Sequence, residues 1–234
     1  MNLPFEFRHL IQMTIAQHLE YRWLKWSNIR GNQQLISISK AHQLLWFRNP
    51  KVASSSISST LRKADSHIAE YPMPIRIPTG TTKRYFSFAF VRNPYHRIHS
   101  LWKQKVIETP LNGAKIWGLS EGEIERLQNF DFFLDWVEQQ DLHRGDAHYR
   151  LQTILVPEGV QFIGRMERLA EDWKKVLDQA GLPQGLAMEH RNKTKKKPMS
   201  LSQQQAEKIW SLYEADFVRF YPEIKPPTDE AGES

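Results

Sequence analysis

Short uncharged runs alternate with amphipathic stretches along most of the chain. Three runs, Gln43–Phe47, Tyr85–Val91 and Val160–Gly164, are rich in aromatic and branched side chains and predict buried strands. Between and after them, apolar side chains recur every three or four residues, which predicts helices. Because strands alternate with helices, we predict an α/β fold of three layers, in which helices flank a central parallel sheet.

Local sequence signals mark where several of these helices begin. The serines of Ser55–Ala64 are suited to cap the start of a helix. Asn93 is a typical N-cap, because Pro94 follows it at the first helical position. Ser202 and Gln205 have the spacing of a capping box for the last predicted helix.

The first thirty residues carry a helical stripe of their own. Apolar side chains repeat there at steps of four, at Phe7, Ile11, Ile15, Leu19 and Trp23. This spacing predicts an N-terminal helical extension over residues 1–30. The helix either packs on the domain or rests, as a basic amphipathic helix, on a membrane surface. We predict a single domain over residues 1–234, with a flexible polar tail at 222–234.

The composition narrows the classes to which the protein can belong. A net charge of +6 points to an anionic partner such as nucleic acid, an acidic membrane surface or a multiply phosphorylated small molecule. The absence of cysteine excludes disulfides and cysteine-zinc sites, and it fits a reducing compartment such as the cytoplasm. The longest stretch without charged residues, His9–Leu19, is shorter than the about 20 apolar residues that a membrane span needs.

Two loops follow the first two predicted strands, and each is suited to bind an anion. Arg48–Ser56 and Arg92–Ser100 both lie where a strand ends and a helix begins. Free N–H groups and the helix dipole favour phosphate or sulfate at such a position. The first loop is not a Walker A sequence, because Lys51 precedes the small residues and the glycines are absent. A capped helix with a solvated lysine fits this loop equally well.

The second loop carries the stronger signal. Arg92 closes an apolar strand, and Ser100 lies within the following predicted helix, where serine has little intrinsic preference. Both side chains could reach the same anion. The alternative role for Arg92 is an ordinary ion pair with a carboxylate of the protein. Two anion sites on neighbouring strands indicate a ligand with two separated anionic groups.

Four segments, in order, resemble PAPS-dependent sulfotransferases of the carbohydrate branch (Golgi-type, family 2). NPKVASSSI, at Asn49–Ile57, resembles the loop that binds the 5′-phosphosulfate. FVRNPYHRIHSLW, at Phe90–Trp102, resembles the 3′-phosphate motif RDPxxRxxSxY. FIGRMERLAEDWKKVL, at Phe162–Leu177, and LYEADFVRFYP, at Leu212–Pro222, are similar to a strand-then-helix and to the terminal helix of this branch. The match runs over Leu44–Tyr221 and implies a P-loop-NTPase-like fold. Golgi members of the branch have a membrane anchor and usually disulfides, and because neither is found in this sequence we expect a soluble member that is bacterial or otherwise cytosolic.

The resemblance implies that PAPS is the donor and 3′,5′-ADP the product. The residues that it assigns to the 5′-phosphosulfate are Arg48, Lys51, Ser54, Ser55 and Ser56. Lys51 is also assigned to catalysis, because it would neutralise charge on the leaving phosphate. Arg92 and Ser100 would bind the 3′-phosphate, and Lys193 in a basic loop would contact phosphate or the acceptor. The reaction requires no metal.

The chain departs from the family pattern in three places. Ala53 and Ser54 replace paired glycines, which is expected to tighten or reposition the loop. Asn93 replaces the aspartate of RDP, and Leu101 and Trp102 displace the tyrosine that follows the serine.

The general base is the least specified residue. Asp141–Gln152 resembles a segment of the branch in which a histidine precedes an aromatic residue, and this makes His148 the first candidate. His67 and Glu70 are the further candidates, and a purely structural histidine is an alternative for His148. A metal cluster is an alternative for the acidic and histidine residues of this segment, which are Asp141, His143, Asp146 and His148, although the segment lacks a helical HxxxH.

The acceptor is expected to be a hydroxyl of a carbohydrate or glycolipid. The basic loop Arg191–Pro198 favours an anionic acceptor, such as a uronate-containing or sulfated glycan. A nucleotide kinase or NTPase of related fold is an alternative, which the absence of GxxxxGK[ST] disfavours. A second alternative function is a basic nucleic-acid-binding module, but acidic residues are interspersed throughout the chain, so we predict no nucleic-acid partner. A third alternative is a degenerate sulfotransferase fold that binds a ligand without catalysis.

Overall fold

The computed structural model describes residues 34–71, 81–186, 188 and 199–228. These residues divide into two compact units. The first unit holds residues 34–49, 53–71, 81–90, 155–186 and 188, and the second holds 50–52, 91–154 and 199–228. The N-terminal extension (1–30), the basic loop with Lys193 and the end of the tail (229–234) lie outside the described residues.

The described chain contains five strands and nine α-helices. The strands are β1 (Ile36–Ser39), β2 (Leu44–Phe47), β3 (Ala69–Glu70), β4 (Phe86–Val91) and β5 (Phe162–Arg165). The helices are α1 (Ser54–Ala64), α2 (Thr81–Arg84), α3 (Pro94–Trp102), α4 (Pro110–Trp117), α5 (Glu121–Arg126), α6 (Phe130–Glu138), α7 (Gln152–Leu155), α8 (Leu169–Gln179) and α9 (Gln203–Phe220). A π-helix (Lys103–Glu108) continues α3, and a 3₁₀-helix (Met166–Arg168) precedes α8.

The strands form one mixed sheet in the order β3-β1-β2-β4-β5. The prediction of a parallel sheet is confirmed for β2 and β4, but it is wrong for β1, which is antiparallel to both β2 and β3. The turn between β1 and β2 explains the difference. The turn spans only residues 40–43, between Ser39 and Leu44. A connection between parallel strands needs a crossover of about a dozen residues or more.

The core of the first unit lies between the sheet and α8. Trp173 of α8 meets Phe88 of β4 edge to face, with ring centroids 6.3 Å apart, and Phe88 stacks on Trp46 of β2 at 6.1 Å. Gly164 allows a close approach to β4, because a Cβ at this position would lie 2.4 Å from the Phe90 ring. These contacts hold the strand ends from which both candidate loops depart.

The second unit is helical, and α9 packs on α3. The ring of Phe217 lies 4.8 Å from that of Tyr95 and 4.4 Å from that of Trp210. The predicted Asn93 N-cap is confirmed, since its side chain accepts a hydrogen bond from the N–H of Tyr95 at 2.9 Å. The capping box of α9, formed by Ser202 and Gln205, is confirmed as well. Among the described residues, no helix combines the length and apolar character needed to cross a bilayer.

Candidate functional site

The loop between β2 and α1 has an unusual backbone. Lys51 and Ala53 both lie in the left-handed region, with φ of 72° and 59°. This conformation costs an L-residue roughly 1–2 kcal/mol. Strained non-glycine residues persist mainly at functional sites, and turns of this kind direct successive N–H groups to one side, as anion-binding loops do.

The serines that follow this turn do not cap α1, so that prediction is wrong. Ala53 is the N-cap residue, and no side chain caps the helix. The Ser54 hydroxyl instead donates to the carbonyl of Asn49 at 2.7 Å, which closes the turn. Asn49 is fully buried and donates through its side-chain N–H to the carbonyl of Phe90 at 3.1 Å, so the turn is tied to β4. Ser55 and Ser56 lie in the first turn of α1.

The left-handed Ala53 gives a prediction for stability. Ala53→Gly should stabilise the protein by about 0.5–1 kcal/mol, because relief of the strained φ exceeds the entropy that glycine adds to the unfolded chain. Thermal unfolding measures this change as a higher Tm. Ala215→Gly, at an exposed interior position of α9, is the matched control and should cost about 0.5–1 kcal/mol. Equal destabilisation by both changes would contradict the left-handed assignment of Ala53.

The Lys51 side chain is held by one hydrogen bond in the second unit. Its ammonium donates to Oε1 of Gln104 at 2.6 Å. The pKa of Lys51 is lowered from 10.5 to about 8, first by burial and then by the charges of Arg92 and Lys105, while Glu108 acts in the opposite direction. Positive charge is therefore in excess around the Lys51 ammonium, and a bound anion would stabilise the charged form of this lysine.

A clamp holds Arg92 by its backbone. The side-chain amide of Gln152 accepts from the N–H of Arg92 at 2.9 Å and donates to its carbonyl at 2.8 Å. Asp216 of α9 in turn accepts the N–H groups of Gln152 and Thr153 at 2.9 and 2.8 Å. The Arg92 guanidinium donates to the carbonyl of Lys51 at 3.2 Å, so the two predicted anion-binding residues are in direct contact.

Arg97 joins the segment of Lys51 to the segment of His148. Its guanidinium is buried and donates to three carbonyls, those of Arg150 at 2.8 Å, Ala147 at 3.0 Å and Pro50 at 3.5 Å. Pro50 directly precedes Lys51, and Ala147 directly precedes His148. One guanidinium thus fixes the backbone next to both predicted catalytic residues.

His148 is oriented by a carboxylate. Its Nδ1 lies 2.7 Å from Oδ1 of Asp146, which also accepts the backbone N–H of His148 at 3.0 Å. Burial would raise the pKa of Asp146, but the hydrogen bonds and charge of His148 outweigh it and the pKa is lowered. An ionised Asp146 keeps the proton of the neutral ring on Nδ1, and Nε2 makes no hydrogen bond with another described residue. Nε2 is therefore suited to accept a proton.

The other base candidates have different surroundings, in the first unit. The Glu70 carboxylate pairs with Arg62 and accepts from the hydroxyl of Ser58. His67 is exposed, and its Nδ1 contacts the Ser66 hydroxyl at 3.2 Å. Asp65 accepts the backbone N–H of His67 at 2.9 Å, but the His67 ring contacts Ser66 and not this carboxylate, whereas the His148 ring contacts Asp146.

The remaining predicted residues divide between the two units. Arg48 is in the first unit, where its guanidinium donates to the carbonyl of Tyr71 and its buried Nε has no hydrogen-bond partner among the described residues. Ser100 is in the second unit, half-buried on α3, and its hydroxyl makes no hydrogen bond within the described chain. The structure therefore brings Lys51, Arg92 and the His148 segment together.

The acidic and histidine residues of Asp141–His148 are not arranged around one point. Asp141 accepts the backbone N–H groups of His143 and Arg144 at 2.9 and 3.0 Å, which forms a local turn. Among the residues that the structure describes, no group of three or more potential ligands surrounds a metal position.

Three residues of this site, Gln104, Arg97 and Gln152, were assigned no role from the sequence, because they act through contacts between distant segments. Asp146 was considered only for a metal cluster, whereas it orients His148. Two of the four had a local signal: Arg97 falls on the second arginine of RDPxxRxxSxY, and an aspartate can accept the N–H two residues later in an Asx-turn.

Comparisons with known proteins gave a match to a family model. A family model described as the sulfotransferase family matches residues 34–222. The match covers both candidate loops and the segment of His148. A search of curated proteins and a search of solved structures gave no match.

Proposed function

Because the chain belongs to the sulfotransferase family, in its family 2 branch, we propose that it transfers the sulfuryl group of PAPS to a hydroxyl of a carbohydrate or glycolipid. One observation carries the proposal. Lys51, Arg92 and the His148 segment converge through the Arg97 guanidinium and the Arg92–Lys51 contact. The proposal treats residues 1–234 as a single cytoplasmic catalytic domain.

The donor would be bound through its two anionic ends. Lys51 and the N–H groups of the left-handed loop would hold the 5′-phosphosulfate, with Arg48 and the serines Ser54–Ser56 as further donors. Arg92 and the Ser100 hydroxyl would hold the 3′-phosphate. Cationic donors bind phosphate and sulfate oxygens strongly, because such hydrogen bonds are charge-assisted.

Transfer would proceed by in-line displacement. The bond from sulfur to the leaving phosphate breaks as the acceptor oxygen attacks, and Lys51 neutralises the charge that grows on the phosphate. Nε2 of His148 takes the proton of the acceptor hydroxyl. Asp146 stabilises the resulting imidazolium, because its carboxylate already contacts Nδ1.

The acceptor is proposed to be an anionic glycan. The argument rests on the lysine-rich loop Arg191–Pro198, which lies outside the described residues and contains Lys193. Positive charge near an acceptor site favours polysaccharides that carry uronate or sulfate groups.

Thermal unfolding with a set of nucleotides tests the donor. At about 100 times its Kd, 3′,5′-ADP should stabilise the protein by about 2.7 kcal/mol, or roughly 5 to 10 °C in Tm. The Arg92→Ala variant should bind 3′,5′-ADP about 10- to 150-fold more weakly and 5′-AMP almost unchanged, because the lost hydrogen bond is to a charged 3′-phosphate. Arg84→Ala, at an exposed residue of the first unit, is the control.

Two outcomes would contradict the proposal. A Tm shift with ATP–Mg²⁺ and none with 3′,5′-ADP would favour the kinase or NTPase alternative. Equal losses of 3′,5′-ADP and 5′-AMP affinity in Arg92→Ala would move the 3′-phosphate to other residues.

A further inference from the structure

Trp117 gives the second unit a buried hydrogen-bond donor that the proposed reaction does not yet use. It is the last residue of α4, which ends there because Gly118 adopts a left-handed φ of 67°. The indole nitrogen Nε1 of Trp117 is buried and forms no hydrogen bond of normal geometry within the described part of the chain. A buried tryptophan N–H usually has an acceptor, because leaving this group unpaired is costly. The acceptor for this donor is therefore to be sought among its neighbours.

Aromatic rings hold the Trp117 indole against the segment of His148. The centroid of the Trp117 ring lies 4.7 Å from that of Trp136 on α6 and 6.5 Å from that of Tyr149. The rings of Trp136 and Tyr149 also meet each other, edge to face at 5.6 Å. Tyr149 is buried and directly follows His148, and its N–H donates to the carbonyl of Asp146 at 3.2 Å. The indole thus packs on the turn that carries Asp146 and His148.

The Asp146 carboxylate is the acceptor that this arrangement offers. Both hydrogen bonds that join it to His148 go to Oδ1, and Oδ2 accepts none from the described residues. Burial would raise the pKa of Asp146, but His148 lowers it, and the Trp117 N–H contributes to the lowering as a donor beside the carboxylate. A buried donor and a carboxylate oxygen, each without a hydrogen bond of normal geometry, are therefore neighbours.

Three cations also face Asp146 from other segments of the second unit. They are Arg97 of α3, Lys105 of the π-helix and Arg150, and each interacts with the charge of the carboxylate. Among the described residues, however, the side chain of Asp146 accepts hydrogen bonds from His148 alone. The three cations are unaltered in the variants compared below, so a difference between these variants does not come from them.

We propose that Trp117 is a positioning residue whose indole N–H donates to Oδ2 of Asp146, an inference that rests on the proposed function. When Nε2 of His148 takes the acceptor proton, the ring becomes an imidazolium, and its Nδ1–H donates to Oδ1 of Asp146. The carboxylate stabilises this cation only while it faces the ring. A second donor on Oδ2 fixes that orientation. Trp117 acts on the base through Asp146 and contacts neither PAPS nor the acceptor.

A spectroscopic measurement tests the contact without using activity. The carboxyl carbon of Asp146, assigned by its absence in Asp146→Asn, is titrated by ¹³C NMR in wild type, Trp117→Phe and Trp136→Phe. We expect a higher pKa of Asp146 in Trp117→Phe, because a donor to the carboxylate favours its charged form. Trp136→Phe trims a ring of the same cluster and keeps the Trp117 N–H, so it should leave this pKa unchanged. In wild type, where no variant has to fold, the indole N–H signal of Trp117 should titrate together with Asp146.

The hydrolysis of PAPS tests what the contact does, and it needs no known acceptor. Release of 3′,5′-ADP by Trp117→Phe should have a kcat about 2- to 10-fold below wild type, the range for one lost hydrogen bond. The affinity for 3′,5′-ADP should change less than about twofold, because both anion-binding loops are intact. Trp136→Phe should retain the wild-type kcat. In Asp146→Asn, the further change Trp117→Phe should have little effect, because the carboxylate on which it acts is gone.

Each contrary result has a distinct meaning. A wild-type protein that binds neither 3′,5′-ADP nor PAPS would overturn the proposed function and the positioning role with it. Normal donor binding, with a pKa of Asp146 that is the same in wild type and Trp117→Phe, would overturn the contact alone. A raised pKa of Asp146 with wild-type kcat would overturn the positioning role. Equal losses of kcat and Tm in Trp117→Phe and Trp136→Phe would overturn it as well, because packing of the ring cluster would then account for both.

Discussion

Lys51→Ala is expected to lower turnover by about 10³-fold while the protein still folds. The variant removes the cation that would neutralise the leaving phosphate at the moment when its charge grows. The fold should survive for two reasons. The variant loses a single side-chain hydrogen bond, to Gln104, and it also removes one positive charge from a place where other positive charges are close. Release of 3′,5′-ADP from PAPS measures turnover, and Tm measures folding. Lys83→Ala, at an exposed lysine, is the control.

The lowered pKa of Lys51 adds a pH signature to this prediction. Below a pH of about 8 the ammonium is charged and, on the proposed function, would bind the donor, so kcat/KM for PAPS should fall as the pH rises through about 8. Stability should change in the opposite direction. Between about 8 and 10.5 the unfolded chain holds the Lys51 proton and the folded chain has lost it, so this residue makes the free energy of unfolding rise with pH.

A guanidinium at this position separates the two effects. Lys51→Arg stays charged throughout this range, so the alkaline fall in kcat/KM should move to higher pH even where the rate is reduced. Wild-type turnover in Lys51→Ala, or an alkaline fall that is the same in Lys51→Arg, would remove Lys51 from the mechanism.

His148→Ala is expected to lower kcat by about 10²- to 10⁴-fold, the usual contribution of a general base. A merely structural histidine would lower Tm and leave kcat of the folded protein unchanged. Turnover is measured with a panel of uronate-containing and desulfated polysaccharides.

Two further variants make the assignment of the base specific. Asp146→Asn should slow transfer without abolishing it, because Nδ1 of His148 loses the carboxylate that orients it. His143→Ala, nearby and exposed, should retain wild-type turnover. Wild-type turnover in His148→Ala together with a loss in Glu70→Gln would transfer the role to Glu70.

The sequence predicted the elements whose signals are local. β2, β4 and β5 appeared as uncharged runs, and the start of α3 followed from Asn93 and Pro94 alone. β1 was missed because Ser37 and Ser39 make it look polar, although both are buried. Their burial depends on pairing with strands on both sides, which no local pattern encodes.

The residues of the candidate site also fall into those that a local sequence signal identifies and those that it does not. Lys51, Arg92 and Ser100 stand in motifs, so the order of residues along the chain is enough to identify them. The left-handed Ala53 could not be identified in this way, because alanine has no intrinsic preference for that conformation and the surrounding fold imposes it.

The clamp on Arg92 has a consequence for biosynthesis. Gln152 holds Arg92, and Gln152 is itself held by Asp216, near the end of α9. A ribosome releases the segment of Arg92 long before that of Asp216, because domains emerge from their N-terminal side first. A nascent chain that already contains both candidate loops therefore still lacks the residue that holds one of them in place. The clamp on Arg92 is complete only after synthesis has passed α9.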